Sequence, residues 1–186
     1  MEIPLLTAID REVSARLEAW DERSPSGTVT RRAEVLVSIG GDAVIDEGAA
    51  ITEAERAAYE RVFRDAPAMR ERILDALAKS DRAARAGATR ENIASRVRLQ
   101  TVSILRVERE GVAYVGYGLS CDWDDEHGAG VMTHKERIVE AGGGDTAILS
   151  WIAKRDGGTA IAAGSEKKAK KRAAKKGAVK KARGGT

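Results

Sequence analysis

Residues 97–121 run VRLQTVSILRVEREGVAYVGYGLSC, and their apolar side chains recur with a period of two. Val97 to Val107 alternates as a strand, Glu108 to Gly111 makes a turn, and Val112 to Cys121 forms the returning strand. Two short strands are predicted downstream, Gly128 to Thr133 and Arg137 to Ala141, which extends the hairpin into an antiparallel meander. Upstream the period changes. Thr52 followed by Glu55 has the spacing of a capping box and opens a helix through about Phe63. Asp65 with Pro67 in the first turn starts another, with Met69, Ile73, Leu74 and Leu77 as its apolar stripe. Gly87 ends that helical region. Ala33, Val35, Val37 and Ile39 alternate up to Gly40-Gly41, which predicts a strand. Leu6, Ile9, Val13, Leu17 and Trp20 fall at helical spacing after Pro4 and predict an amphipathic N-terminal helix, broken at Ser24-Pro25-Ser26-Gly27. Near the other end, Gly142-Gly143-Gly144 reads as a flexible break. Asp145 then caps a short helix carrying Ile148, Leu149 and Ile152, and Gly157-Gly158 closes the globular part.

The expected class is therefore α+β: N-terminal helices and a strand packed on a C-terminal antiparallel β-meander, with a disordered basic tail. The expected organisation is an N-terminal helix and linker over 1–28, an α+β domain over 29–158, and a Lys/Ala-rich tail over 159–186. A length of 186 residues suits one domain plus a tail. Only 4% of residues are aromatic, so the core must lean on Ala, Val, Ile and Leu. A single cysteine excludes an intramolecular disulfide framework and a paired-cysteine zinc module. No apolar run approaches the ~20 residues that span a bilayer. The N-terminus carries acids early and has no basic n-region, so a cytoplasmic location is expected.

Charge is divided unevenly. The formal net charge is +3, yet residues 165–186 hold ten Lys and Arg against Glu166, giving +9. Residues 1–164 hold 22 basic and 28 acidic groups, giving −6. An acidic body with a basic block has the asymmetry of a protein with an interaction tail.

Residues 121–131 read CDWDDEHGAGV. This segment resembles the hallmark of a bacterial family of domains of unknown function, whose C-terminal part carries W-D-x-E-H-G-x-G-V. Trp123, Asp124, Glu126, His127, Gly128, Gly130 and Val131 match it. The similarity extends over about residues 30–155 and implies a shared fold. Through the suspected roles of such small bacterial domains, it also implies an immunity-like or interaction protein.

The chemistry of the loop has several readings. Asp122, Asp124, Asp125, Glu126 and His127 place four carboxylates and an imidazole within six residues. Asp124, Glu126 and His127, with His134 as a fourth ligand, would suit a divalent cation such as Zn, Mn or Ca and a metal-dependent enzyme. The spacing matches neither HExxH nor an EF-hand loop. Equally, acids and glycine suit a hairpin tip, where Asp side chains bond backbone N–H groups, Trp123 fills core space, and Gly128 and Gly130 supply positive φ or a bulge. A third reading makes Trp123, Asp124, Glu126, His127, Gly128 and Gly130 an interaction surface for a protein partner. Cys121 continues the alternation of Ala113, Val115, Tyr117 and Leu119, which points it into the core rather than toward His127 as a nucleophile. No cofactor other than a divalent metal is suggested, and no catalytic residue is assigned.

In the tail, Lys167, Lys168, Lys170, Lys171, Arg172, Lys175, Lys176, Lys180, Lys181 and Arg183 are separated mainly by Ala. It resembles the Lys/Ala-rich tails of histone-linker-like and other bacterial DNA-associated proteins. With no large side chain to build a core, it is expected to be disordered and to contact nucleic acid without reading sequence. If about half of its charges met phosphates, the salt slope on duplex DNA would be about −4 to −5. Two alternatives stay open: an anionic membrane surface, although the tail has no apolar anchor or lipidation motif, and a solvated appendage with no selected partner.

Overall fold

The computed structural model describes residues 11–41 and 49–161. The first half of the predicted N-terminal helix and the basic tail lie outside the described residues.

The predicted meander is present. Strands β5 (Val97–Arg109), β6 (Val112–Cys121), β7 (Ala129–His134) and β8 (Arg137–Gly143) pair antiparallel in sequence order. The β5–β6 turn tightens to Glu110-Gly111, both at positive φ (53° and 71°) between paired Arg109 and Val112. That conformation matches the twist of the flanking strands. Strand β4 (Glu34–Gly40) does not pack on the meander but extends its sheet, running parallel to β5 with Leu36 opposite Thr101 and Gly40 opposite Leu105. Parallel pairing needs a long crossover. Helices α1 (Glu53–Arg64), α2 (Ala66–Ala78), α3 (Asp81–Arg85) and α4 (Ile93–Arg96) lie between the two strands in sequence. Thr52 and Glu55 form the expected reciprocal capping box, and Met69, Ile73, Leu74 and Leu77 are buried as the stripe predicts.

The expected helix at Val13 to Trp20 is corrected. Residues Glu12–Arg16 form an edge strand, β1, antiparallel to β4, and a 3-10 turn follows at Glu18–Trp20. Spacing that suits a helix also suits a strand and turn in which Ala15, Leu17 and Trp20 are the buried residues. A hairpin of β2 (Glu22–Arg23) and β3 (Val29–Arg31) turns at the Pro/Gly/Ser break.

Two apolar layers cover the sheet. Helices α1 and α2 pack on one face against Val102, Ile104, Val115, Tyr117 and Val131. On the other face, α5 (Ser150–Arg155) brings Ile152 and Ala153 onto Leu105, Val107, Tyr114 and Met132. A 3-10 turn at Gly144–Ala147 precedes α5 and crosses β6 and β7. Its approach requires Gly116, where a Cβ would stand 1.6 Å from the Ala147 carbonyl oxygen.

Three smaller expectations change. Gly142 and Gly143 belong to β8, paired with Gly130 and Ala129, rather than to a flexible break. Ile148 is exposed, while Ile152 is buried. The sheet continues past Gly157-Gly158, since β9 (Thr159–Ala160) pairs with β5 at Val107 and Glu108.

Candidate functional site

The Cys121–Gly128 loop joins β6 to β7 and is shaped by its own acids. Asp124 Oδ1 accepts the backbone N–H of His127 at 3.0 Å and the ring Nδ1–H of the same residue at 3.2 Å. Its Oδ2 accepts Arg82 of α3 at 3.1 Å. The bond from the His127 amide, reinforced by the ring and the Arg82 charge, holds the Asp124 carboxyl below the usual carboxylate range. The Asp124 carbonyl accepts the Gly128 amide at 2.8 Å and closes the turn. Gly128 sits at φ +68°, and a Cβ there would lie 2.4 Å from the Leu119 carbonyl oxygen. Gly130 is buried within β7, opposite Gly118 and Gly142.

The flanking residues are anchored from the helical crossover. Asp122 receives Arg96 of α4 at 2.9 and 3.0 Å, and this partner lowers its carboxyl. The Arg96 guanidinium also stands over the Trp123 ring, 5.5 Å from its centroid. Trp123 is half-buried against the helix-side core. Cys121 is buried, its thiol 3.8 Å from the Asp124 carbonyl oxygen, and burial pushes that thiol up. A buried, protonated thiol is a packing group rather than a nucleophile.

The four residues considered for a cation are not brought together. Asp124 and His127 touch, whereas Asp125 and Glu126 are exposed at the tip. His134 is at the opposite end of β7, about 17 Å along the strand from Ala129 at ~3.4 Å per residue. There it is buried, its Nε2–H donating to the Arg109 carbonyl at 2.9 Å and its ring centroid 4.5 Å from that of Tyr114. Among the described residues, no three His, Cys, Asp or Glu side chains converge as a cation site requires.

What the loop borders is an open depression of about 740 Å³, lined by Arg82, Arg85, Trp123, Asp124, His127 and residues Gly143 to Asp145. The His127 side chain is 70% exposed at its rim. The sequence gives no local signal for Arg82, Arg85 and Arg96. They lie about 25 to 45 residues before the loop, in ordinary amphipathic surroundings, and no local pattern announces the pairing. The tail cations from Lys167 to Arg183 lie outside the described residues.

A mixed seven-stranded sheet with a helical crossover on one face and a 3-10 turn with α5 on the other defines an α+β domain of two unequal helical layers. The chain belongs to the family described as Domain of unknown function (DUF6985), which matches residues 16–149. The match begins upstream of residue 30 and so includes the β2–β3 hairpin and β4. No curated protein and no solved structure gives a significant match.

Proposed function

We propose that the protein is a non-enzymatic interaction domain. Its docking surface is the Trp123–Gly128 loop with the adjoining arginine-lined depression, and its Lys/Ala-rich segment tethers it to nucleic acid. The observation that carries this reading is the use made of the loop's acids. Asp122 and Asp124 are engaged by Arg96, Arg82 and His127, which shapes a rigid turn, and Asp125, Glu126 and His127 are left facing solvent beside an open surface. A catalytic constellation would need its groups to converge on a shared space. Support for the tether comes from the separation of −6 in residues 1–164 from +9 in residues 165–186. Lysine meets phosphate as a point charge and reads no base edge, so such binding is sequence-tolerant and salt-dependent.

Two measurements test the two halves of this reading. Addition of Zn²⁺, Mn²⁺ or Ca²⁺ is expected to leave the melting temperature unchanged. A rise of several degrees would instead support the metal-dependent alternative built on Asp124, Glu126 and His127, since ligands that bind the native state stabilise it by mass action. For the tether, the full chain is expected to bind a short duplex far more tightly in low salt than a chain ending at Gly164, and equal affinity removes the tail from the function.

A further inference from the structure

A second surface, remote in sequence from the loop, concentrates positive charge on the acidic body. The β2–β3 hairpin, the 3-10 turn at Glu18–Trp20, α2, α4 and the start of β5 enclose a groove of about 570 Å³. Five arginines line it: Arg23, Arg31, Arg32, Arg70 and Arg98. Three carboxylates, Asp21, Glu22 and Glu34, share the lining and offset only part of the arginine charge; Glu34 is exposed and stands opposite Arg16 of β1. Asp21 has a fully buried side chain and is engaged by Arg16 at 2.6 Å and by the Ala33 amide at 2.8 Å. Glu22 alone serves both Arg98 at 2.8 Å and Arg31 at 3.8 Å. The side chains of Arg31 and Arg98 nevertheless stay 54% and 56% exposed, and Arg23 and Arg32 are exposed beside them. Arg70 is paired with Glu71 at 2.7 Å, and the lining of five arginines and three carboxylates keeps a formal excess of positive charge within residues 1–164, whose net charge is −6.

We infer that this groove is a phosphate-backbone contact, the place at which the folded domain itself meets nucleic acid. The choice of nucleic acid over an acidic protein rests on the proposed role of the tail and on what the groove lacks. Protein interfaces combine arginine with apolar and aromatic anchors at their centre. Here Trp20, Leu74 and Leu99 are buried in the floor and present no anchor. The walls instead offer planar guanidinium forks, which suit phosphate oxygens, and the exposed polar residues Thr30, Ser95 and Gln100. The tail would supply affinity, and the groove would orient a domain that its own net charge otherwise repels from the polyanion.

The test uses the full chain and a labelled short duplex, with the melting temperature of each variant confirming its fold. The variant R31A/R32A/R98A removes three exposed cations. The salt slope is expected to fall by about 2.7, so that the wild-type advantage shrinks about 40-fold between about 50 and 200 mM salt. Glu22→Gln releases Arg31 and Arg98 and is expected to tighten binding. Unchanged affinity and slope for the triple variant overturn the assignment. So does tight binding of poly-glutamate that is lost in the triple variant, which would make the groove a site for an acidic protein. These outcomes are separable from failure of the tail, which is read from the chain ending at Gly164 and not from the arginine variants.

Discussion

Gly128 decides the shape of the loop, because its backbone occupies a conformation that L side chains rarely adopt and its missing side chain leaves room for the Leu119 carbonyl. An alanine there would meet both obstacles together, and neither neighbour is the flexible end of a side chain. Gly128→Ala is expected to destabilise the fold by roughly 3 kcal/mol, about half from positive φ and the rest from displaced backbone. His127→Ala, at a side chain that is 70% exposed, is expected to move stability little. Urea denaturation of both variants checks the contrast, and equal losses would show the imidazole to be as structural as the glycine. Trp123 belongs with Gly128 rather than with His127, since it is half-buried beneath Arg96 and against the core. The motif therefore mixes residues that build the turn with residues that the turn displays.

At the scale of elements, α1 is fixed to the sheet by one carboxylate with two roles. Glu55 Oε2 accepts the Thr52 amide at 2.7 Å to complete the capping box, and Oε1 lies 3.3 Å from Arg106 Nε of β5. Both side chains are almost wholly buried, at 0% and 5% exposure. A buried pair contributes little net stability, but removing one partner leaves an uncompensated charge. Glu55→Leu is thus expected to cost about 3–5 kcal/mol, and the double variant Glu55→Leu/Arg106→Met is expected to recover much of it. A double-mutant cycle by chemical denaturation measures that coupling, and additive losses would deny the pair any coupling.

The capping half of this arrangement is legible in the sequence, because Thr52 and Glu55 are three residues apart. The Arg106 half is not, because it depends on a contact across the crossover. The same division runs through the fold. Helices α1 and α2 and strands β5 to β7 follow from local periodicity. Strand β1 does not, because its conformation comes from pairing with β4 more than 15 residues later, and Val13, Leu17 and Trp20 mimic a helical stripe. Gly142 and Gly143 read locally as a break because their pairing with Gly130 and Ala129 of β7 is a contact that no local pattern encodes. At the loop, the acids and His127 are legible in the sequence, but the arginines that engage them and the remoteness of His134 depend on tertiary placement.

The whole molecule closes at the end opposite the loop, where Asp156 follows α5. Arg137 of β8 donates to both its carboxylate oxygens, and the buried Tyr114 of β6 donates to Oδ2 at 2.9 Å. Arg109 of β5 donates to its backbone carbonyl at 2.9 Å. One residue therefore ties the last helix to three strands of the sheet. The Arg137 hydrogen bonds, with Tyr114 assisting against the cost of burial, hold the Asp156 carboxyl below its usual range. A carboxyl depressed in the folded state binds protons less readily than in the unfolded chain. Its contribution is present above the ordinary carboxylate pKa and is lost as pH falls through the depressed value. The group is partly exposed, so the contribution is on the order of 1 kcal/mol. Asp156→Asn is expected to lower the melting temperature at neutral pH, and the gap to the parent chain is expected to close as pH falls below the carboxylate range. Melting curves across that range check the sign, and a gap that widened in acid would mean that the carboxylate opposes the closure of α5 on the sheet.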